Sequence, residues 1–448
     1  MPIAVEVKQV EAVTILTDAF KAGVACVKPD RLIRDHVKLS RETLTIGEET
    51  FDLNGINRIM VAGAGKASGL MAAELEKVMG DRLSEGTVVV KYGHGVPCRI
   101  VEIVEAGHPY PDQAGVEATR KMVSLCQGAG ENDLVLFLLS GGGSALLADY
   151  PEGCSLADVA YLSKLLVNSG ADIREINAVR KHLSRVKGGQ LARMAFPATV
   201  VSLILSDVVG DPLDVIASGP TVADRSTFAD ALGVCRRYGI EARVPQALMR
   251  VLVDGAAGRV AETPKTDDPL LARTTNLVIG SNRLALEACL RDLRKRGIEG
   301  EIVTDRLDGD TEAAAATIVS TALERKRRCR TRKPFALLFG GETTLKVTGN
   351  GNGGRNQHMA LKAAWLLRGQ PGITFLAAGT DGTDGPTEMA GAVVDGETCE
   401  RAAAQGMNAQ ESLRAFDSYS FFRVAGGHVF TGPTMTNVMD LALALVHD

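Results

Sequence analysis

Ala198-Thr-Val-Val-Ser-Leu-Ile-Leu205, followed at once by Ser206-Asp207-Val-Val-Gly210-Asp211-Pro212, is the stretch that decides the fold. An unbroken apolar run bounded by turn residues reads as a strand buried on both faces, the habit of parallel sheets. Open α/β sheets bind ligands just beyond the carboxyl ends of such strands. Asp207 and Asp211 stand at that position, where two carboxylates can hold a divalent cation or orient a reacting hydroxyl. The competing reading is a capped turn before Pro212.

The pattern repeats on either side. Arg58–Ala62, Thr87–Lys91, Val101–Glu105 and Asp133–Leu139 are candidate strands before this one, and Asn276–Ile279, Gly300–Thr304, Phe335–Phe339 and Ile373–Ala378 form a second series. Helix-like periods, such as Ser68–Val78 and Thr311–Arg325, lie between them. The alternation predicts an α/β protein with mostly parallel sheets flanked by helices. At 448 residues the chain exceeds the size at which one core usually keeps growing, so two domains are expected. Asp254–Pro269, rich in Gly, Thr, Pro and Asp, reads as the linker. The expected division is a Rossmann-like domain over 1–255 and a second α/β domain over 256–448. A last strand and turn within Gly426–Thr434, in roughly the last 20 residues, would pack back onto the first domain.

Composition removes several function classes. A net charge of −4 leaves no basic excess for nucleic acid. The basic run Glu324–Lys333 reads as a solvated helix end. No apolar stretch approaches the roughly 18 to 20 residues that span a bilayer, and Met1–Lys8 lacks the features of a secretory signal. Eight cysteines without CxxC pairs, Cys329 among them, read as reduced thiols, which predicts a cytoplasmic protein without a zinc site.

Five glycine-containing loops follow candidate strands or the glycine runs beyond them. In Gly63-Ala-Gly65-Lys66-Ala-Ser68, the third small position of a dinucleotide fingerprint is Ser68, and the next strand ends in Lys91 rather than an acid. Walker A also fails, because Gly65-Lys66-Ala67 lacks the leading glycine and the hydroxyl. A lysine at a helix start is unfavourable unless an anion sits there, so Lys66 is a candidate functional cation. Ser140-Gly141-Gly142-Gly143-Ser144 can turn successive backbone N–H groups toward one anion, aided by a following helix start. Before the Asp207 loop, Asn177–Lys187 is basic; on a helix Arg180 would share a face with Ser184, and Lys181 with Arg185. Arg355 and Asn356 follow the glycine run ending at Gly354, giving a planar donor fork for carboxylate or phosphate. Asp381 and Asp384, in Gly379–Thr387, could meet a metal or a ribose.

Taken in order, Gly63–Ala67, Gly107–Asp112, Ser140–Leu147, Glu175–Ser184, Ser206–Asp211, Ala217–Thr221, Gly340–Thr344, Gly353–Gln357, Ala378–Pro386 and Gly432–Thr434 resemble the glycerate 2-kinase family built from DUF4147 and MOFRL parts. The resemblance covers nearly the whole chain. It implies transfer of the ATP γ-phosphoryl group to the 2-hydroxyl of D-glycerate with Mg²⁺, in the cleft between two α/β domains. By position it makes Lys66, Asp207 and Arg355 the catalytic residues. On this reading Asp207 and Asp211 are the metal acids, and Gly65, Ser140 to Ser144, Arg180, Lys181, Asn356, Asp381 and Asp384 bind substrate or nucleotide. The partners are small molecules, D-glycerate and ATP, with a homodimer left open. His358, Met435 and Met439 depart from the family pattern. The rival reading is an NAD(P)H-dependent hydroxypyruvate or tartronate reductase, which the incomplete fingerprint disfavours.

Overall fold

Asp133-Leu-Val-Leu-Phe-Leu-Leu139 is buried at every position, the mark of a strand covered on both faces. The computed structural model describes residues 9–328 and 333–447. The chain divides into two units. The first comprises Pro29–Ser206 and Asp211–Ile279; the second comprises the described parts of Met1–Lys28, Asp207–Gly210 and Gly280–Asp448.

In the first unit, β1 (Val37–Leu39), β2 (Thr43–Ile46) and β3 (Glu49–Asp52) form a small antiparallel sheet that sequence reading missed, since its strands are short and half exposed. The main sheet holds β4 (Arg58–Ala64), β5 (Glu85–Lys91), β6 (Val101–Ala106), β7 (Asp133–Leu139), β8 (Thr199–Leu205) and β9 (Thr274–Gly280), in the order β6-β5-β4-β7-β8-β9. Pairing from β6 through β8 is parallel. Helices Ser68–Met79 and Gln113–Gln127 pack on its strands. The expected strands match closely; β7 matches end to end, and β8 begins one residue inside the expected run.

Two expectations change here. The strand around Asn276 does not open the second sheet but closes the first, beside β8. Asp254–Pro269 is not a linker but part of the first unit. There Glu262 bonds His182 at 3.1 Å, Thr263 bonds Asp224 at 3.1 Å, and Lys265 bonds Glu262 at 3.0 Å. The division at the end of this stretch falls at Ile279/Gly280, and the amino-terminal helix Gln9–Cys26 belongs to the second unit.

In the second unit, β10 (Glu299–Leu307), β11 (Phe335–Gly341), β12 (Ile373–Gly379), β13 (Gly391–Asp395), β14 (His428–Val429) and β15 (Asp440–Val446) form a sheet ordered β10-β11-β15-β12-β13-β14. This sheet is mixed rather than mostly parallel: β10 and β11 are parallel, while β15 runs antiparallel to β11 and β12. The carboxyl-terminal strand, expected to pack back on the first domain, fills the centre of the second unit's own sheet. It can do so because Asp440-Leu-Ala-Leu-Ala-Leu-Val446 is apolar after its first residue and buried throughout. Helices Thr311–Arg328 and Arg355–Leu367 share a core with it through Ile318, Met359, Phe375 and Ala444. The amino terminus up to Lys8, Cys329 and the middle of the basic run around it lie outside the described residues.

Candidate active site

Ala64 pairs with Leu139 across β4 and β7, so the Lys66 loop and the Ser140 loop emerge side by side at the carboxyl ends of their strands. The Lys66 N–H donates to the Gly141 carbonyl at 2.9 Å, and the Ala67 N–H donates to Ser140 Oγ at 3.0 Å. Ser68 Oγ lies 3.0 Å from the same oxygen. Ser140 is thus committed to joining the loops rather than to a ligand. Gly65 has φ +145°, and a Cβ there would sit 2.1 Å from Ser140 Oγ, so no other residue fits the junction. The helix after the glycines, Gly143–Leu146, is a single turn, so its dipole adds little. Ser144 Oγ lies 2.9 Å from Ser218 Oγ.

Two histidines that sequence reading did not single out border this cradle. His94 Nδ1 is 2.9 Å from the Lys66 carbonyl oxygen. A Cβ on Gly142, whose φ is +86°, would lie 2.9 Å from His108 Nε2 and 3.5 Å from Lys66 Cε. The His108 ring and the Lys66 chain therefore flank Gly142. Burial, helped by Lys66, Lys91 and His94, pulls the His108 pKa down to about 4. The segment Gly107–Asp112 carried the signal, since a His-Pro-Tyr-Pro-Asp run after a strand is unusual chemistry for a plain turn.

The basic helix is Ile173–His182, opened by a capping box of Asp172 and Glu175. It stops before Ser184, so the expected sharing of faces with Ser184 and Arg185 is lost. Ser184 instead donates to Asp149 Oδ1 at 2.7 Å. Lys181 is 4% exposed and lies 3.3 Å from Asp224 and 3.4 Å from Asp214, a structural ion pair rather than a ligand contact. Arg180 has no carboxylate partner among the described residues, and burial lowers its pKa.

In the second unit, the antiparallel course of β15 brings its first residue beside the ends of two parallel neighbours: Asp440 pairs with both Gly341 and Gly379. Asn282 Nδ2 donates to the Asp440 carbonyl at 2.9 Å and the Val438 carbonyl at 2.8 Å, holding this strand start. Arg355, the first residue of its helix, gives Nε and Nη2 to the Asp440 carboxylate at 2.5 and 3.1 Å, and Nη1 to Glu342 at 2.8 Å. Glu342 is held above the usual carboxylate range by burial, against the pull of Arg355, with Asp440, Asp207 and Asp381 adding to the rise. One arginine thus faces an excess of acids. Among the described residues no three metal-ligating side chains already converge.

Asn356 and Asp384 are internal. Asp384 accepts the backbone N–H groups of Asn356 at 3.0 Å and Gln357 at 2.8 Å, capping the helix, and burial raises its pKa to about 6. Asn356 Nδ2 also reaches Asp440 at 3.0 Å. Both hold the start of the Arg355 helix in place. His358, 1% exposed, bonds Glu312 at 3.1 Å and stacks on Phe416, so its departure from the family pattern is a packing matter. Met435 and Met439 both take left-handed backbone, at φ 63° and 69°. Asp207 belongs to the second unit, while Asp211, at φ 53°, belongs to the first.

Glycine loops at the carboxyl ends of a parallel sheet, a cation-lined cradle and an arginine among acids define an α/β enzyme handling small anions. Residues 15–253 match the family model of a domain of unknown function, DUF4147, and residues 335–440 match the MOFRL family. D-glycerate 2-kinase of Thermotoga maritima is 42% identical over 95% of this chain and 96% of its own length. Glycerate 2-kinase of Pyrococcus horikoshii is 39% identical over 99% and 98%. The crystal structure of the Thermotoga maritima glycerate kinase superposes with a TM-score of 0.87 at 41% identity, covering 97% of this chain and 99% of that one. The chain belongs to this glycerate 2-kinase family of joined DUF4147 and MOFRL parts.

Proposed function

We propose that the protein transfers the γ-phosphoryl group of ATP to the 2-hydroxyl of D-glycerate, giving 2-phosphoglycerate and ADP. The observation that carries this reading is the end-to-end likeness to D-glycerate 2-kinase, 42% identical over 95% of this chain. Phosphoryl transfer needs positioning and charge neutralisation more than covalent chemistry, and the side chains are suited to both. Lys66 neutralises an anionic group at the Gly141–Ser144 cradle, and Arg180, which has no carboxylate partner among the described residues, assists. Asp207 orients the acceptor hydroxyl and takes its proton. Arg355, fixed by Asp440 and Glu342, stabilises charge on the phosphoryl group in flight.

The acid excess around Glu342 fits a divalent cation. Mg²⁺ usually takes one or two carboxylates and fills its shell with water and phosphate oxygens, so a finished ligand set is not required. Asp207 is the first ligand on this reading, and Glu342, in the same unit, is a second. When bound, the ion would neutralise phosphate charge. The seven described cysteines are free thiols, which supports a cytoplasmic location. No helix of the described residues is long and apolar enough to cross a membrane.

The test is direct. Purified protein with Mg·ATP and D-glycerate should form 2-phosphoglycerate, told from the 3-isomer by ³¹P NMR. Oxidation of NADH by hydroxypyruvate without any ATP-dependent product would instead sink the kinase reading.

A further inference from the structure

The His108 side chain is half-buried, and its neighbours in charge are all cationic or potentially so: Lys66 from the loop after β4, Lys91 at the end of β5, and His94 just beyond it. The acids near its own loop are engaged elsewhere. Asp112 accepts the Tyr92 hydroxyl at 2.8 Å and the Gly115 N–H at 3.1 Å, and Glu105 accepts the N–H groups of Gly93 and Gly95. Neither ring nitrogen of His108 has a hydrogen-bond partner among the described residues, yet Nε2 lies against Gly142, where any side chain would displace it. An imidazole with open hydrogen-bonding capacity, set beside a lysine and the half-buried Gly142 backbone, is a ligand-facing group.

We propose that His108 contacts the anionic group bound at the Lys66 and Gly141–Gly142 cradle and helps set affinity for it. The proposal rests on the kinase reading for the identity of the ligand, a carboxylate of D-glycerate or a phosphate of the nucleotide. Both present anionic oxygens, and either can accept from Nε2–H. The free ring is neutral at pH 7 because charging it beside Lys66, Lys91 and His94 is costly. An anion between these groups offsets that cost, so the ring's pKa rises on binding and the complex takes up proton as pH falls.

The test uses the whole protein with ¹³Cε1-labelled histidine, the His108 signal being assigned by its loss in H108Q. Titrations from pH 3.5 to 8 are run alone, with sulfate as an anion that does not titrate in that range, with D-glycerate, and with ADP. The expected result is an upward shift of roughly 1 to 3 pH units with sulfate and with one of the two substrates, which names the source of the anion. H108A should raise KM for that substrate roughly 10- to 100-fold with a smaller effect on kcat, and H108Q, which keeps a donor, should recover part of it. An unmoved His108 signal in all three ligand arms, or H108A kinetics within twofold of wild type, overturns the proposal. The NMR arms need no turnover, so failure of kinase activity in the wild-type protein is a separate outcome that strikes the functional reading alone.

Discussion

Arg355 holds the Asp440 carboxylate with two nitrogens, Nε at 2.5 Å and Nη2 at 3.1 Å, although the two residues lie 85 positions apart in sequence. The fork leaves Nη1 for Glu342, so one guanidinium is oriented by two acids before any ligand arrives. Such preorganisation is what a group acting on developing phosphoryl charge requires.

Asp440→Ala should therefore reduce both activity and stability. It strands the Arg355 fork and the Asn356 amide in a mostly buried setting, at a cost of about 3 kcal/mol. Denaturant unfolding checks the stability loss. Arg355→Lys should lower kcat roughly 10²-fold or more, because an ammonium cannot reproduce the fork.

Lys66→Ala should lower kcat/KM by roughly 10²- to 10³-fold with little change in melting temperature, since among the described residues the side chain has no carboxylate partner to leave unpaired. Steady-state kinetics at saturating Mg·ATP measure this, and a loss of only a few-fold would remove Lys66 from the transferring or accepting anion.

The neighbours Arg180 and Lys181 should behave oppositely. Lys181→Ala abandons Asp224, itself 1% exposed, and should destabilise the protein by about 3 to 5 kcal/mol. Arg180→Ala should leave melting temperature nearly unchanged and raise a substrate KM instead. Paired thermal melts and kinetics separate the two.

Asp384 supplies a pH signature. Its folded pKa, about 6, lies above the ordinary 3.8, so the folded state binds more proton between those values. The contribution of Asp384 is fully present below about pH 3.8 and is lost as pH rises through 6. The stability difference between wild type and Asp384→Asn should accordingly fall with rising pH across this window, by at most about 1.4 kcal/mol per pH unit. Urea titrations at pH 4, 5, 6 and 7 would show a flat difference if the carboxyl titrated normally.

Much of the first unit was legible in the sequence, because continuous apolar runs such as Asp133–Leu139 leave little choice between strand and helix once flanked by glycine loops. The small sheet of β1 to β3 was not, since half-exposed strands of three or four residues carry little periodicity. Lys66 and Arg355 announced themselves by standing after glycines at strand or helix starts. Asp440 did not, because an acid at the head of an apolar stretch carries no local sign of a partner 85 positions away. Ser140, Lys181, Asn356 and Asp384 sat in motif positions, and only their partners revealed that they hold loops and helices in place.

The sequence by itself determined the α/β alternation, the glycine loops and the family, because each depends on local pattern or on ordered motifs. Tertiary structure alone decided that β9 closes the first sheet, that β15 enters the second in reverse, and that Asp440 thereby meets Arg355. Strand order and direction follow from which apolar surfaces can be buried together across the whole chain, and no local stretch of residues carries that information.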